Sequence, residues 1–330
     1  MSISEFDLIG QYFKNNVALV DNDVCVGIGD DCAILDVPDG FQLAVSTDTL
    51  VSDVHFFADV DPFRLGYKAL AVNLSDLAAM GATPKWVSLA ITLPEVNEQW
   101  LAEFSRGFFT LANQHRVSLI GGDTTHGPLS ITISVKGIVP RGQALLRNKA
   151  SVGELICVSG NLGDGALGLD AKQLKCALSS PELFIDALEI TQPRIELGLV
   201  LRSLASSCID ISDGLIQDLQ HILQASHCSA NVHIDKLPFS PAMRNEINMG
   251  AINCQQASQY ALTGGDDYEL LFTIASEKLP QLTMQMQKAE MHDITVKVIG
   301  EITEPTSPQV ALFENNKSVS FMTQGWDHFK

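Results

Sequence analysis

The sequence predicts an α/β protein of the α+β, two-layer kind, built as two domains, and three observations carry that prediction. The chain has 330 residues, long for a single hydrophobic core. Helical and extended patterns alternate along it, with proline and glycine at the joints. Five times an apolar, strand-like run stops at a small residue or a hydroxyl and then an Asp: GIGDD, VSTDT, LIGGDTT, IDISDG and LTGGDDYE. Acids at strand ends of such a protein would gather along one rim of the sheet, where ligands of α/β proteins bind.

Composition narrows the partners. With 21 Lys plus Arg against 39 Asp plus Glu the net charge is −18, which repels nucleic acid and anionic membrane surfaces, so neither is expected as a partner. No apolar run of about 18 residues occurs. The N-terminal MSISEFDLIGQYF lacks the basic and apolar regions of a secretory signal, and a cytoplasmic location is expected. The 7 cysteines are dispersed, form no CxxC pair and sit mostly among apolar neighbours. They read as reduced core residues rather than zinc ligands or reactive thiolates.

Taken in order, Ser2 and Glu5 have capping-box spacing ahead of an amphipathic helix with Phe6, Ile9 and Phe13. Strands are predicted at Cys25–Ile28, ending in Asp30 and Asp31, and at Phe41–Ser46, ending in Thr47, Asp48 and Thr49. Asp61 and Pro62 start a helix to about Met80, with Gly81 as its stop. Its second half is apolar almost all round, so it is expected to be buried, yet it carries Asn73 and Asp76 on one face. Trp86–Leu93 reads as a strand. Asn97–His115 follows as a helix with Trp100, Leu101, Phe104, Phe108 and Leu111 inward and Phe109 off the stripe. Val117–Ile120 starts a strand ending in Gly121, Gly122 and Asp123, and Leu129–Val139 alternates as another. The domains divide near residue 150, into 1–150 and 151–330. In the second, strands are expected at Glu154–Ser159, Cys208–Ile211, Asn231–Ile234 and Leu270–Ile274, with a further strand-like run at Tyr260–Leu262. Helices are expected from Pro193 to about Ala205 and after Gly214, where Leu215, Leu219, Ile222 and Leu223 share a side.

The adjacent acids Asp30 and Asp31 pose a physical problem. At about 4 Å and an effective dielectric near 20, two like charges repel by roughly 4 kcal/mol. A divalent metal, a nearby Arg or Lys, or water at an exposed Gly-Asp turn would each answer it. A buried Asp76 likewise needs a cation or several donors. Repetition of the pattern favours a shared metal, and carboxylates with hydroxyls are hard oxygen donors suited to Mg²⁺, without the spacing of a calcium loop. No GxxxxGK phosphate loop is present. Gly163, Gly165 and Gly168 spell a literal GxGxxG after a strand, but no second strand ending in an acid follows about 20 residues on, so the segment reads as a tight strand-to-helix turn.

Taken together in order, EFDLI, GIGDDCA, STDTLV, YKALAVNLSDLAAMGA, LIGGDTT, IDISDGL, GGDDYEL and GWDHF resemble the bacterial thiamine-monophosphate kinases, within the superfamily of ATP-binding proteins that includes aminoimidazole ribonucleotide synthetase. The resemblance implies an N-terminal α/β domain whose sheet joins its twin's in a homodimer, a C-terminal α/β domain closing the active-site cleft, and ATP with several Mg²⁺ ions. It implies a magnesium set of Asp31, Ser46, Thr47, Asp48, Asp76, Asp123, Asp210 and Asp213, with Asp30 in support, and the central catalytic roles fall to Asp48, Asp76, Asp123 and Asp213. The Gly121 and Gly122 backbone, Arg147 and Ser212 would contact ATP, and His55, Asp266 and Trp326 would face thiamine monophosphate. Two positions depart from the family: Asp266 stands where Glu is common, one methylene shorter, and His126 where a basic residue is common. The implied reaction is transfer of the ATP γ-phosphoryl group to thiamine monophosphate, giving thiamine diphosphate. The alternatives are a related ATP-dependent synthetase with another acceptor and a nucleotide- and metal-binding protein without turnover.

Overall fold

The computed structural model describes residues 5–14 and 23–321. The chain divides into two compact units, Met1–Leu77 with Ala82–Gln143, and Ala78–Gly81 with Ala144–Lys330.

The first unit opens with a short helix, α1 (Glu5–Leu8), that widens into a π-helical turn, Ile9–Phe13, whose Tyr12 and Phe13 are buried. Ser2, the other half of the expected capping box, lies outside the described residues. A narrow antiparallel ribbon follows, β1 (Val24–Val26) and β2 (Ile34–Leu35). Its first strand falls on the strand expected over Cys25–Ile28 but is shorter, stopping at Val26. Gly29 takes φ +123°, and the chain reverses there instead of running on. The ribbon is anchored by Val24, Ala33 and Leu35 against a core of Trp86, Ile120 and Ile138.

The main sheet comprises β3 (Phe41–Val51), β4 (Thr83–Leu93), β5 (Ser118–His126) and β6 (Ser130–Pro140), with helices α2 (Pro62–Ala79) and α3 (Glu98–Gln114) between them in the chain. The strand order is β3-β6-β4-β5, with β4 and β5 parallel and the other pairs antiparallel. Two expected strand ends lie inside strands. VSTDT is within β3, and GGDTT is within β5, because β6 and β4 run alongside them and supply ladder partners throughout. Asp61 caps α2 by accepting the Arg64 N–H at 3.1 Å, and Gly81 follows at φ +61°, as the sequence predicts. Asn97 caps α3 through the Trp100 N–H at 3.0 Å. Phe109, expected off the apolar stripe, is buried as well, edge-on to Phe108 at 5.2 Å.

The second unit contains β7 (Leu155–Ser159), α4 (Asp164–Lys172), α5 (Pro181–Glu189), α6 (Ile195–Leu201), β8 (Ser207–Asp210), α7 (Leu215–Ser226) and β9 (Ser229–His233). It continues through α8 (Pro241–Met249), α9 (Cys254–Thr263), β10 (Leu270–Ile274), α10 (Leu279–Lys288), β11 (Val296–Thr303), β12 (Val310–Glu314) and β13 (Lys317–Val319). Its seven-stranded sheet runs β13-β12-β9-β11-β7-β10-β8 and is antiparallel except between β12 and β9. Leu215, Leu219, Ile222 and Leu223 of α7 enter its core beside Ile156, Val158 and Leu271. The run Tyr260–Leu262, expected to be extended, belongs to α9. An Asn253–Gln256 capping box, with both bonds at 2.9 Å, starts that helix seven residues earlier. Cys157, Cys208 and Cys228 are buried as expected, and burial pushes the Cys157 thiol up to about 12. Cys25, Cys32 and Cys254 are exposed instead, the first two because the narrow β1–β2 ribbon has too little width to cover them.

Candidate functional site

In the first unit the two-residue period of β3 divides the candidate donors. Ser46 and Asp48 are half-buried and Thr47 is exposed, so Thr47 points to the opposite face. On the inner face Ser46 Oγ donates to Asp76 Oδ2. The Asp48 N–H donates to Asn73 Oδ1 at 3.1 Å, and Asn73 Nδ2 is itself held by the Ala69 carbonyl at 3.0 Å. The i,i+3 pair Asn73 and Asp76 therefore reads onto β3 from α2. Asn73 is 1% exposed, whereas Asp76 is only half-buried, less enclosed than the apolar pattern predicts.

Asp30 and Asp31 lie in the exposed turn of the β1–β2 ribbon, where the Asp31 N–H donates to Asp30 Oδ1 at 2.9 Å. Asp123 lies within β5, opposite Ala90 of β4, and is exposed. Gly122 needs its lack of a side chain: at φ +155° a Cβ would fall 1.7 Å from the Leu89 carbonyl oxygen. Gly121 differs, since a Cβ there would meet no atom within 4 Å, so packing leaves its backbone accessible. His55 Nδ1 accepts the Val51 N–H at 3.0 Å, fixing the ring at the end of β3. His126 is exposed at the end of β5.

In the second unit three loops are laced together. Asp210, at the end of β8, is 5% exposed and sits opposite Leu270 in the ladder. Beyond it, Ile211 N donates to the Glu269 carbonyl at 2.8 Å, Tyr268 N to the Ile211 carbonyl at 2.8 Å and Asp266 N to the Ser212 carbonyl at 3.0 Å. Asp266 and Tyr268 take φ of +65° and +48° to do so, a backbone that only dense bonding sustains. Arg147 lies exposed in the 3-10 turn Arg147–Lys149. Trp326 lies outside the described residues.

Several residues here escape the sequence reading. The Ser212 and Asp213 N–H groups both donate to Asp218 Oδ2 at 3.1 Å. Burial, together with Asp210 and Asp213, pushes the Asp218 carboxyl up to about 7. Its only sequence signal is an acid set among Leu215, Ile216 and Leu219 on the apolar side of α7. Asp267 accepts the Gly163 N–H at 2.9 and 3.1 Å, and burial raises it well above the carboxylate range. The GxGxxG segment is the expected strand-to-helix turn, with a carboxylate of the same chain on its donor. Gly163 takes φ +88°, and a Cβ on Gly165 or Gly168 would fall 2.5 Å from the Asp266 carbonyl oxygen or 2.2 Å from that of Phe184. Glu269, 4% exposed, forms a two-pronged ion pair with Arg194, Nε to Oε2 at 2.7 Å. Such geometry holds the start of β10 in place.

Among the described residues no three His, Cys, Asp or Glu side chains gather into a group able to hold a metal ion. What each unit offers are hard oxygen donors, carboxylate and hydroxyl, of the kind Mg²⁺ takes when it keeps several waters and shares its shell with substrate phosphates. The donor chemistry therefore fits that ion.

Comparison with known proteins places the chain. AIR synthase related protein, N-terminal domain, matches residues 29–139, and AIR synthase related protein, C-terminal domain, matches residues 151–312. A thiamine-monophosphate kinase of Haemophilus influenzae is 46% identical over 332 residues, covering 100% of this chain and 99% of that one. The chain belongs to the thiamine-monophosphate kinase family. The crystal structure of thiamine-monophosphate kinase from Stenotrophomonas maltophilia K279a has a TM-score of 0.84 at 41% identity, covering 97% of this chain and 99% of that one. A second family member, AaThiL complexed with AMPPCP and TMP, has a TM-score of 0.76 at 28% identity, covering 100% and 99%. Among the described residues no helix is long and apolar enough to cross a membrane.

Proposed function

We propose that this chain transfers the γ-phosphoryl group of ATP to thiamine monophosphate, giving thiamine diphosphate and ADP, in the cytoplasm. The observation that carries the reading is the full-length match to a thiamine-monophosphate kinase at 46% identity. It is supported by an acid set whose members are bonded in place: Asp76 by Ser46, and the Asp48 backbone by Asn73.

The chemistry asks little covalent work of the protein. The acceptor phosphate, with a second pKa near 6, is mostly deprotonated at pH 7, so no general base is required. The difficulty is to align two polyanions in line. Asp30, Asp31, Ser46, Asp48, Asp76, Asp123, Asp210 and Asp213 would hold Mg²⁺, which supplies the positive charge that neutralises the phosphates; Thr47, turned to the other face of β3, leaves that set. Arg147, exposed, offers a planar guanidinium fork to ATP oxygens. The open backbone at Gly121 lets a nucleotide approach where a side chain would stand, and Ser212 offers a hydroxyl from the laced loops. His55 and Asp266 orient thiamine monophosphate, Asp266 with a shorter reach than the Glu common in the family.

The functional unit is a homodimer. The face of β3 turned away from α2 leaves Leu43 and Val45 at 46% and 58% exposure, on a strand at the edge of its sheet. Apolar side chains on an unpaired edge favour cover by another sheet. The deciding experiment supplies purified protein with ATP and thiamine monophosphate, with and without Mg²⁺, and follows products by mass. Thiamine diphosphate formed only with Mg²⁺ is the expected result. ADP release with a different acceptor alone, or nucleotide binding without ADP release, would replace this reading.

A further inference from the structure

Helix α7 touches both loops that carry the second unit's nucleotide-facing residues, one near each of its ends. At its start, Asp218 Oδ2 accepts two N–H groups, from Ser212 and Asp213, each at 3.1 Å. At its end, Ser226 Oγ donates to the Arg147 carbonyl at 2.8 Å and accepts the Ala150 N–H at 3.1 Å, closing the 3-10 turn that displays Arg147. That turn is also tied to β8, where Cys208 N donates to the Leu146 carbonyl at 3.4 Å. Between the anchors Leu219, Ile222 and Leu223 are fully buried, so the helix is a stiff spacer. Asp218 and Ser226 lie about 12 Å apart along it.

Asp218 is an expensive way to satisfy two loop amides. It is 2% exposed, on the apolar side of a helix and close to Asp210 and Asp213. Unfavourable burial of an acid persists where the surroundings demand its geometry. Ser226 is an ordinary residue in an unusual post, with its single hydroxyl bridging the first and last peptides of the turn. Side chains that aim a binding group through hydrogen bonds, from a rigid element, are what site precision requires.

We infer that α7 sets the spacing of the nucleotide contacts, with Asp218 a positioning residue for Ser212 and Asp213 and Ser226 a positioning residue for Arg147. The inference rests on the proposed ATP-dependent reaction. Neither side chain needs to touch substrate. Each acts through the backbone of a residue that does, so their loss separates by parameter. Loosening the Arg147 turn weakens ATP capture, whereas loosening the Ser212–Asp213 turn disturbs the reacting phosphates.

The test uses the full chain in four variants, Ser226→Ala, Ser226→Thr, Asp218→Ala and Asp218→Asn. It measures kcat, KM for ATP, the Mg²⁺ concentration giving half-maximal rate, and, by calorimetry, the Kd of a non-hydrolysable ATP analogue. Ser226→Ala is expected to raise KM and Kd about fivefold with kcat within twofold, and Ser226→Thr, which keeps the hydroxyl, to restore both. Asp218→Ala is expected to lower kcat more than tenfold and raise the Mg²⁺ requirement, with partial recovery in Asp218→Asn, which keeps an acceptor oxygen. Circular dichroism and thermal unfolding confirm that each variant is folded. Should Asp218→Ala fail to fold, the Ser226 pair alone decides the matter. Folded Ala variants with unchanged KM, kcat and analogue Kd would overturn the inference. Unaltered protein that binds the analogue but makes no thiamine diphosphate would overturn the proposed reaction instead, and the Kd series would still judge the positioning.

Discussion

Asp76 shows how far a single residue can be read. An acid on a helix apolar almost all round demands a partner, and Ser46 of β3 is that partner. Asp48→Asn and Asp76→Asn are each expected to lower turnover by about a hundredfold or more, the scale of losing one fixed electrostatic contact, while circular dichroism stays that of the parent. Near-normal rates for both at saturating Mg²⁺ would remove them from the metal set. Asp164 gives a different kind of expectation. It accepts the Ser240 hydroxyl at 2.9 Å, and burial with nearby Glu269 lifts it to about 6. Its folded-state pKa exceeds the ordinary 3.8, so the folded chain holds the proton more tightly and this group's contribution is full below about pH 4. The contribution falls as pH rises to about 6 and is constant above, a change on the order of a few kcal/mol at most. Asp164→Asn should flatten that part of a stability-against-pH curve from chemical denaturation. Asp218, Asp267 and Glu269 were not legible as individuals. Their roles depend on backbone groups of loops far away in sequence, which no local pattern encodes.

At the scale of elements, periodicity and caps carried most of the information. Asp61–Pro62 and Gly81 bracket α2, and Asn97 starts α3, because capping chemistry is local. Glycine and Asp in a local pattern spell a strand end, but β3 and β5 continue through them on ladder bonds from strands more distant in the chain. Tyr260–Leu262 failed for the converse reason: a short apolar run suits a helix as well as a strand, and the Asn253 cap that decides it lies outside the run. The contact between α2 and α3 yields a sharper expectation. A Cβ on Gly66 would fall 2.1 Å from the Phe104 carbonyl oxygen, and one on Gly107 1.9 Å from that of Phe63. Backbone cannot yield as a side chain does. Gly66→Ala and Gly107→Ala should each cost about 3 kcal/mol or more, read as a lowered denaturation midpoint, and the double variant less than the sum because both force the same pair of helices apart.

For the whole molecule, net charge and composition are visible in any order of residues, whereas the assembly depends on which side chains share a face. Leu43 and Val45 alternate outward on β3, and only the position of that strand at the sheet edge gives their exposure a meaning. If the proposed dimer forms through this face, Val45→Lys is expected to shift it toward monomer in sedimentation at micromolar protein, with the far-ultraviolet spectrum retained. An unchanged sedimentation coefficient would place the subunit contact elsewhere. The turn at Gly163 bears on how such chains are recognised. Its amide is already engaged by Asp267, so the molecule carries a built-in competitor for any oxyanion that a glycine pattern would invite. A glycine-rich turn after a strand thus announces only that something comes close to the backbone. Here the visitor is a residue encoded about a hundred positions downstream, and a pattern search blind to it would count this turn among nucleotide sites.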